Sequence, residues 1–303
     1  MKTYFVQHNR PLETKDLWRK NFTTLFDELN TRDLRPVFSP MQVSTILARG
    51  NVVIVNLGFI KAVLTTDTAY FLVHSGEQEI ENIAQKISVA KGEGTEHVFL
   101  LFALEKILEA QLLRLRSSSL EIETDTEKAL SRIRNNFSEA YLENLLSNKK
   151  RISKISSQVS EVRAAVEEII EDSEDLNQIA SLVRENDQAL DELTSIFENF
   201  IEQVEDIEGH MLRLRESVDD TEEFLTLKLN ARRTAIIRAD LLATITTLIL
   251  SFLAVVVGLY GTNISNGLEQ NPEAFMILRM SLIIFFVLGF IGAFLFLKKK
   301  RLF

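Results

Sequence analysis

The sequence has no cysteine, and its 303 residues include only four histidines, four prolines and eleven glycines. Without cysteine, disulfides, thiolate metal sites and cysteine nucleophiles are excluded. The histidines are far apart and form no paired metal-ligand spacing. Because the chain also has no glycine-rich phosphate loop and no nucleophile motif, we expect neither an enzyme nor an organic cofactor. Few glycines and prolines favour long helices over a fold of strands and turns.

Charge is distributed unevenly along the chain. The net charge is -9, whereas the residues from Asn230 onward carry eight Lys/Arg and three Asp/Glu, a balance of +5, which leaves -14 for the rest. This acidic region lacks the basic face that phosphate binding needs. Nucleic acid is therefore not an expected partner. The acidity fits divalent cations, and it also fits a well-solvated surface without a partner.

Two uncharged stretches near the C-terminus are long and apolar. Residues 241–260 are almost wholly apolar and long enough to cross a bilayer, which takes about 20 residues. Residues 280–297 form a second run, rich in Ile, Leu and Phe. Two such runs at the end of a charged chain predict two transmembrane helices in contact with lipid, and the alternative is a pair of buried core helices.

Two crossings place both termini on one side of the membrane. The basic tail at residues 298–301 predicts that this side is the cytosol or a matrix. The loop 261–279, with Glu269 and Glu273, then lies outside. The N-terminus shows no signal peptide and is a poor transit peptide. We therefore expect a multi-pass protein, with the plasma membrane slightly favoured and the mitochondrial inner membrane as the alternative.

The soluble part begins with strands and continues as helices. Residues 51–73 are rich in β-branched and aromatic side chains and have a predicted turn at Gly58. The pattern becomes helical over residues 97–116. Two further helices are predicted at 120–148 and 154–184, separated by the polar stretch Asn-Lys-Lys-Arg-Ile-Ser.

A seam of apolar residues with alternating spacings of three and four follows, and no helix breaker occurs between positions 190 and 260. This pattern predicts a coiled-coil-like stalk helix that continues into the first membrane segment. The seam offers a contact between copies of the chain, or it is the core-facing side of a helix in a monomeric bundle. Its members are Leu190, Leu193, Phe197, Phe200, Val204, Ile207, Met211, Leu214, Val218, Thr221 and Leu225.

A conducting path would need several copies, because two transmembrane helices cannot enclose water. Asn230, Arg233 and Ile237 are spaced three and four apart and share one helix face just before the first span. Thr244, Thr246, Thr247 and Ser251 add polar groups along the span itself. Small polar groups suit a cation that keeps its water, as magnesium does. For Arg233, snorkelling at the interface is the equal alternative.

The end of the first span reads Tyr-Gly-Thr-Asn, residues 260–263. This resembles the Gly-Met-Asn signature of the CorA superfamily of magnesium channels, with threonine in place of methionine. The acidic stretch at 219–223, the motif Leu-Asn-Ala-Arg-Arg, the two spans, the short acidic loop and the basic tail fit the same pattern. Upstream, Thr-Arg-Asp-Leu-Arg-Pro-Val and Phe-Ala-Leu-Glu-Lys-Ile-Leu-Glu resemble the eukaryotic, mitochondrial-type branch. The resemblance covers nearly the whole chain.

The resemblance implies a pentamer whose long helix lines the pore. Gly261, Thr262 and Asn263 would form the pore entrance, with Asn263 contacting the metal. Asn230, Arg233 and Ile237 would line the inner half of the pore, and Glu269 and Glu273 in the loop would attract cations.

Two departures from the family pattern bear on ion selectivity, namely Thr262 for methionine and Asn230 where mitochondrial members tend to have an acidic residue. The function implied is transport of magnesium down its electrochemical gradient, with magnesium as cargo and membrane lipid and further copies of the chain as partners. The alternatives are transport of another divalent cation and a non-conducting, membrane-anchored regulatory subunit.

Taken together, the sequence predicts an α+β fold with a mainly helical soluble domain, a small N-terminal sheet, a long pore-lining stalk helix and two C-terminal transmembrane helices. The predicted parts are an N-terminal α/β part at 1–95, a helical part at 96–189, the stalk at 190–240, the first span at 241–260, the external loop at 261–279, the second span at 280–297 and the tail at 298–303.

Overall fold

The computed structural model describes residues 1–7, 10–39, 43–73, 77–89, 99–135, 139–183, 187–261 and 272–299. The chain divides into two compact units, Met1–Asp220 (unit 1) and Thr221–Phe303 (unit 2). Unit 1 combines a sheet with helices, and the described part of unit 2 is helical. The predicted α+β class with a mainly helical soluble part and a small N-terminal sheet is confirmed.

Unit 1 contains a six-stranded antiparallel sheet in the order β2-β1-β6-β5-β4-β3. The strands predicted within residues 51–73 are confirmed, whereas β1, β2 and β3 were not predicted. Gly58 lies between β4 and β5 with φ of 79°, a conformation that glycine adopts without steric cost. The strands are β1 Lys2–Gln7, β2 Glu13–Asp16, β3 Thr45–Arg49, β4 Val52–Asn56, β5 Lys61–Leu64 and β6 Thr68–Leu72.

Helices pack on the sheet so thoroughly that every residue of β4 and β5 is buried. The short helices α1 (Arg19–Leu25) and α2 (Arg35–Phe38) contribute to an aromatic cluster in which the rings of Phe22 and Tyr70 lie 5.4 Å apart. Burial extends to Lys61, whose ammonium donates to the Ser39 carbonyl oxygen. Desolvation by burial lowers the pKa of Lys61 from its ordinary 10.5.

Six longer helices follow in the described residues. They are α3 Glu77–Val89, α4 Phe99–Asn135, α5 Glu139–Glu171, α6 Ser173–Val183, α7 Asp187–Tyr260 and α8 Pro272–Lys299, the last of which lies in unit 2. The helix predicted from residue 97 is present as α4, but it continues far beyond residue 116. The predicted helices 120–148 and 154–184 are wrong in their bounds, because α5 runs without a break through the polar stretch at 148–153. Ile152 within that stretch is fully buried, which keeps the helix on its packing face.

The helix α7 is continuous over 74 residues, as the absence of breakers predicts. Its apolar seam is buried inside the single chain: Leu193, Phe197, Val204, Met211 and Val218 are each 0% exposed. The seam is therefore the core side of a bundle, and its interpretation as a contact between copies is wrong.

Ion pairs join the seam helix to its neighbours. On α7, the His210 imidazole lies 3.0 Å from the Glu123 carboxylate of α4. Another α7 residue, Glu205, lies 3.3 Å from the Arg163 guanidinium of α5. Such partly exposed pairs contribute little to stability, so the buried seam is the main attachment of α7 to the bundle.

Candidate functional site

The candidate site lies on the part of α7 that belongs to unit 2. Asn230, Arg233 and Ile237, predicted to line a pore, are all exposed on one face of this helix. Ile237 is 55% exposed although it is apolar. The predicted arrangement of these three side chains on one face is present, and no other segment of unit 2 in the described residues covers them.

The opposite face of α7 packs against α8. The rings of Phe252 and Phe285 have centroids 5.1 Å apart, and Gly289 of α8 lies beside the Ile249 side chain. The covered positions on α7 recur every three to four residues, which is the spacing of one helix face. They are Arg238, Leu242, Ile245, Ile249, Leu253 and Val256.

Arg233 and Arg238 lie on different faces of α7. Arg233 is exposed on the face with Asn230 and Ile237, whereas Arg238 is half-buried on the side that faces α8. Arg238 is five positions after Arg233, a step that rotates the helix by about 140°, so the two side chains point in different directions.

The face with Asn230, Arg233 and Ile237 continues toward the C-terminus of α7. Thr244 and Ser251 follow Ile237 at intervals of seven residues, two helical turns each, and both are exposed. The apolar residues Leu248 and Val255 lie on the same face and are 70% and 62% exposed. These two were not predicted, although their heptad spacing in the sequence was a usable signal.

Hydroxyl groups in this segment differ in how their hydrogen bonds are satisfied. The hydroxyls of Thr246 and Thr247 each donate to the carbonyl oxygen four residues earlier, at 2.8 Å. In contrast, the hydroxyls of Thr244 and Ser251 have no hydrogen-bond partner within the described part of the chain. An unpaired hydroxyl is costly in hydrocarbon, so this face is suited to water or to polar groups of another copy.

Of the predicted entrance residues, the structure describes only Gly261. Gly261 directly follows the last residue of α7, and its N–H donates to the Val257 carbonyl oxygen at 2.9 Å. Thr262, Asn263 and Glu269 lie outside the described residues.

The predicted extent of the loop to residue 279 is wrong, because α8 begins at Pro272. Glu273 is therefore in the first turn of a helix and not in a loop. Proline is favoured at that position because its missing N–H is not needed there, and a carboxylate is favoured by the helix dipole.

Two further observations concern metal binding and membrane insertion. Among the described residues, no group of three or more His, Asp or Glu side chains could hold a metal ion. Of the helices in the same residues, α7 alone is long and apolar enough to cross a membrane, and none of its apolar window is buried. A shorter apolar stretch, Met276–Gly292, lies in α8.

Comparison with curated proteins gives relatives that are called magnesium transporters. The chain is 23% identical to the chloroplastic magnesium transporter MRS2-11 of Arabidopsis thaliana, over 91% of this chain and 66% of that protein. It is 28% identical to the mitochondrial inner membrane magnesium transporter mrs2 of Schizosaccharomyces pombe, over 89% of this chain and 67% of that protein. The chain thus spans about two thirds of the length of these relatives.

Solved structures at low identity show the same fold. The CorA magnesium transporter of Methanocaldococcus jannaschii superposes with a TM-score of 0.68 at 12% identity, covering 95% of this chain and 96% of that one. The full-length CmaX protein superposes with a TM-score of 0.55, also at 12% identity, covering 97% of each chain.

A family model connects this fold to one group of proteins. The model of the MRS2-like magnesium transporters matches residues 6–233, well over half of the 303 residues. The match includes most of the sheet, the helical bundle and the start of the exposed α7 face. The chain therefore belongs to the family of MRS2-like magnesium transporters.

Proposed function

We propose that several copies of this chain form a membrane channel that carries magnesium down its electrochemical gradient. The observation that carries the proposal is the exposed face of α7, on which the hydroxyls of Thr244 and Ser251 have no partner in the described residues. Those groups need water or polar neighbours at membrane depth. One chain cannot enclose water with two helices, so copies must share the path, five of them by the resemblance.

Insertion through two helices is the first element of this proposal. The apolar part of α7, residues 241–260, has the length of one crossing. The uncharged run 280–297 of α8 has 18 residues, or about 27 Å at 1.5 Å per residue, close to a hydrocarbon core of about 30 Å. The basic residues 298–301 favour the side on which both termini then lie.

The chemistry of the α7 face suits a hydrated dication. Magnesium gives up its water reluctantly, so amide and hydroxyl oxygens that accept hydrogen bonds from bound waters are sufficient to guide it. Asn230, Thr244 and Ser251 would supply such oxygens in rings. Ile237 and Leu248 would form apolar constrictions between them, and such constrictions can gate a pore by losing water.

At the other end of the path we place the entrance at Gly261, Thr262 and Asn263. A ring of neutral oxygens from Asn263 would accept hydrogen bonds from the ion's water shell. Glu269 and Glu273 would raise the local cation concentration without holding the ion too tightly for release.

Two other functions are supported by particular residues. Thr262 and Asn230 depart from the family pattern at the entrance and near the inner mouth, which favours transport of a different divalent cation. The same departures also favour a non-conducting subunit that associates with a channel.

The membrane in which the protein resides is also a proposal. Our first choice is the plasma membrane, with the mitochondrial inner membrane as the alternative. The name of the fission yeast relative favours the mitochondrial inner membrane instead. The basic tail gives the same orientation in both, with the termini on the cytosolic or matrix side.

Reconstitution of the purified chain into liposomes tests the function directly. A magnesium indicator inside the vesicles should report uptake when a gradient is applied. Replacing magnesium with zinc or cobalt tests the first alternative, transport of another divalent cation. Preferential uptake of one of these ions would identify it, and not magnesium, as the cargo. Absence of uptake of every divalent ion would favour the alternative of a non-conducting subunit.

The entrance is tested at Asn263 with a matched control in the same segment. Asn263→Ala and Asn263→Gly should lower magnesium uptake at least about tenfold, because each copy loses an acceptor for the ion's water shell. Asn266→Gly, which removes an identical side chain three positions away, should conduct normally. Full uptake by Asn263→Gly would mean that Asn263 only ends the first span, as Asn and Gly often do.

A further inference from the structure

Arg238 has no acceptor for its guanidinium group within the described part of the chain. The residue is half-buried on the side of α7 that faces α8. Its Nε atom is buried and unpaired, so only the two terminal nitrogen atoms, which are accessible, can contact a ligand. An arginine is always charged, and a partly buried charge is stabilised by an acceptor that reaches these atoms.

The register of the helix pair places Arg238 at the C-terminal end of α8. Phe252 of α7 lies beside Phe285 of α8, and Ile249, three positions earlier on α7, lies beside Gly289, four positions later on α8. The two helices are therefore antiparallel. Continued in this register, α7 brings Arg238 level with the last residue of α8, Lys299.

The contact between the two helices ends before this level. At Gly289 an added Cβ atom would lie 3.6 Å from the Ile249 side chain, whereas at Gly292 it would meet no atom of the described residues within 4 Å. Gly292 follows Phe285 by seven residues, about two turns, so it is on the same face of α8 as these contacts. The space between Gly292 and Arg238 is therefore open, and we call it the α7–α8 gap.

Positive charge is concentrated around the mouth of this gap. Residues 228–240 and 298–301 together contain eight Lys/Arg and one acidic residue, Asp240. Asp240 is two positions after Arg238, a step that rotates the helix by about 200° and places the carboxylate on the other side of α7. Both segments border an apolar run, 241–260 and 280–297, so the charges lie at the level of lipid headgroups.

We propose that the α7–α8 gap binds an anionic phospholipid from the leaflet on the side of both termini. The lipid phosphate accepts hydrogen bonds from the terminal N–H groups of Arg238, and an acyl chain lies beside Gly292. Gly292 is seven residues before Lys299, or about 10 Å deeper in the membrane, where acyl chains begin. Basic pockets between membrane helices recognise anionic headgroups in this way. The proposal rests on the insertion of both helices in the proposed function.

Snorkelling of Arg238 to the membrane surface is the simpler alternative. A snorkelling arginine contacts any phosphate nearby, and it requires neither partial burial against α8 nor an open gap. The two interpretations therefore differ in whether the position of the charge and the space beside Gly292 determine which lipid is bound.

Native mass spectrometry of the full chain in detergent tests the proposal with two lipids. Dioleoyl phosphatidylglycerol and dioleoyl phosphatidylcholine have the same acyl chains and one phosphate each, but only the first has a net negative charge. With both lipids at equal concentration, phosphatidylglycerol adducts should exceed phosphatidylcholine adducts at least about fivefold, since the basic residues repel the choline cation. Glycerol 3-phosphate at millimolar concentration should not displace the lipid, because it has no acyl chain for the gap.

Two pairs of variants locate the bound lipid. Arg238→Gln should weaken phosphatidylglycerol binding at least about fivefold through loss of a charge-assisted contact, whereas Arg232→Gln, which removes the same charge from an exposed position, should weaken it less than about twofold. Gly292→Leu should weaken binding by a similar factor without a change in charge, because the new side chain fills the gap. Gly258→Leu adds the same volume at another open position of α7 and should bind as the wild type does.

Four results would overturn the proposal. They are equal adducts of the two lipids, equal effects of Arg238→Gln and Arg232→Gln, unchanged binding by Gly292→Leu, and displacement of the lipid by glycerol 3-phosphate. Lipid adducts are counted without transport, so the two proposals fail separately. Absence of ion uptake with intact lipid preference would contradict the channel alone, and uptake without lipid preference would contradict the lipid site alone.

Discussion

The internal burial of the α7 seam leads to a prediction at two adjacent residues. Met211 is 0% exposed, whereas Leu212, the next residue on the same helix, is 56% exposed. Truncation of Met211 to alanine leaves a cavity in the bundle and should cost about 2–5 kcal/mol of unfolding free energy. Leu212→Ala removes a side chain that already faces solvent and should change this energy by no more than about 0.5 kcal/mol.

The difference between these variants is large enough to measure by urea unfolding. With a denaturant slope of about 2–3 kcal/mol/M for a unit of this size, Met211→Ala should lower the midpoint by about 1 M or more. Helix propensity does not explain such a shift, because Leu, Met and Ala are all good helix formers. Far-ultraviolet circular dichroism of the full chain in micelles provides the signal.

Protein concentration distinguishes burial within one chain from burial between copies. Because the seam is buried by the chain's own helices, the destabilisation by Met211→Ala should be the same at every concentration. Destabilisation that grows on dilution would show that the residue is buried between chains, since association contributes stability by mass action. Equal effects of Met211→Ala and Leu212→Ala would also refute the packing described above.

Two further predictions concern charge. In the proposed channel, Arg233→Ser should raise cation uptake at least about twofold, because a ring of guanidinium groups on the pore face would repel cations. The neighbouring Arg232→Ser should have a smaller effect. Unchanged uptake by Arg233→Ser would favour snorkelling instead. Lys61 should contribute unfolding free energy that grows as the pH approaches 10.5, because burial lowers the pKa of Lys61 and the unfolded chain then holds a proton that the folded chain has released. Denaturation across this pH range should show a smaller slope for Lys61→Met, and an identical slope would exclude Lys61 as its source.

The continuity of α7 and the central strands could be predicted from the sequence because their signals are local. No proline occurs between positions 190 and 260, and β-branched residues are concentrated in β4 and β5. The bounds of α5 could not be read from polarity, since Lys, Arg, Asn and Ser are all compatible with a helix. The usable signal was a heptad of buried residues that spans the polar stretch, namely Leu145, Ile152, Val159 and Val166.

The candidate site was predictable in part for the same reason. The common face of Asn230, Arg233 and Ile237 follows from helical spacing alone. The separation of Arg233 from Arg238 depends on where α8 packs, and the sequence of α7 does not contain that information. The start of α8 at Pro272 was missed because a single charge at Arg279 was taken as the end of a loop, although a charged residue does not end a helix.

The burial of the seam changes what an assembly of copies can use. Apolar periodicity identifies a buried face but not the partner that buries it, and in this chain the partners are its own helices. The contacts between copies that the channel proposal requires must therefore use other surfaces. The face of α7 with Ile237 (55% exposed), Leu248 (70%) and Val255 (62%) combines apolar area with the unpaired hydroxyls of Thr244 and Ser251. Copies arranged around water would contact the apolar groups and supply hydrogen-bond partners for both hydroxyls, as the channel proposal requires.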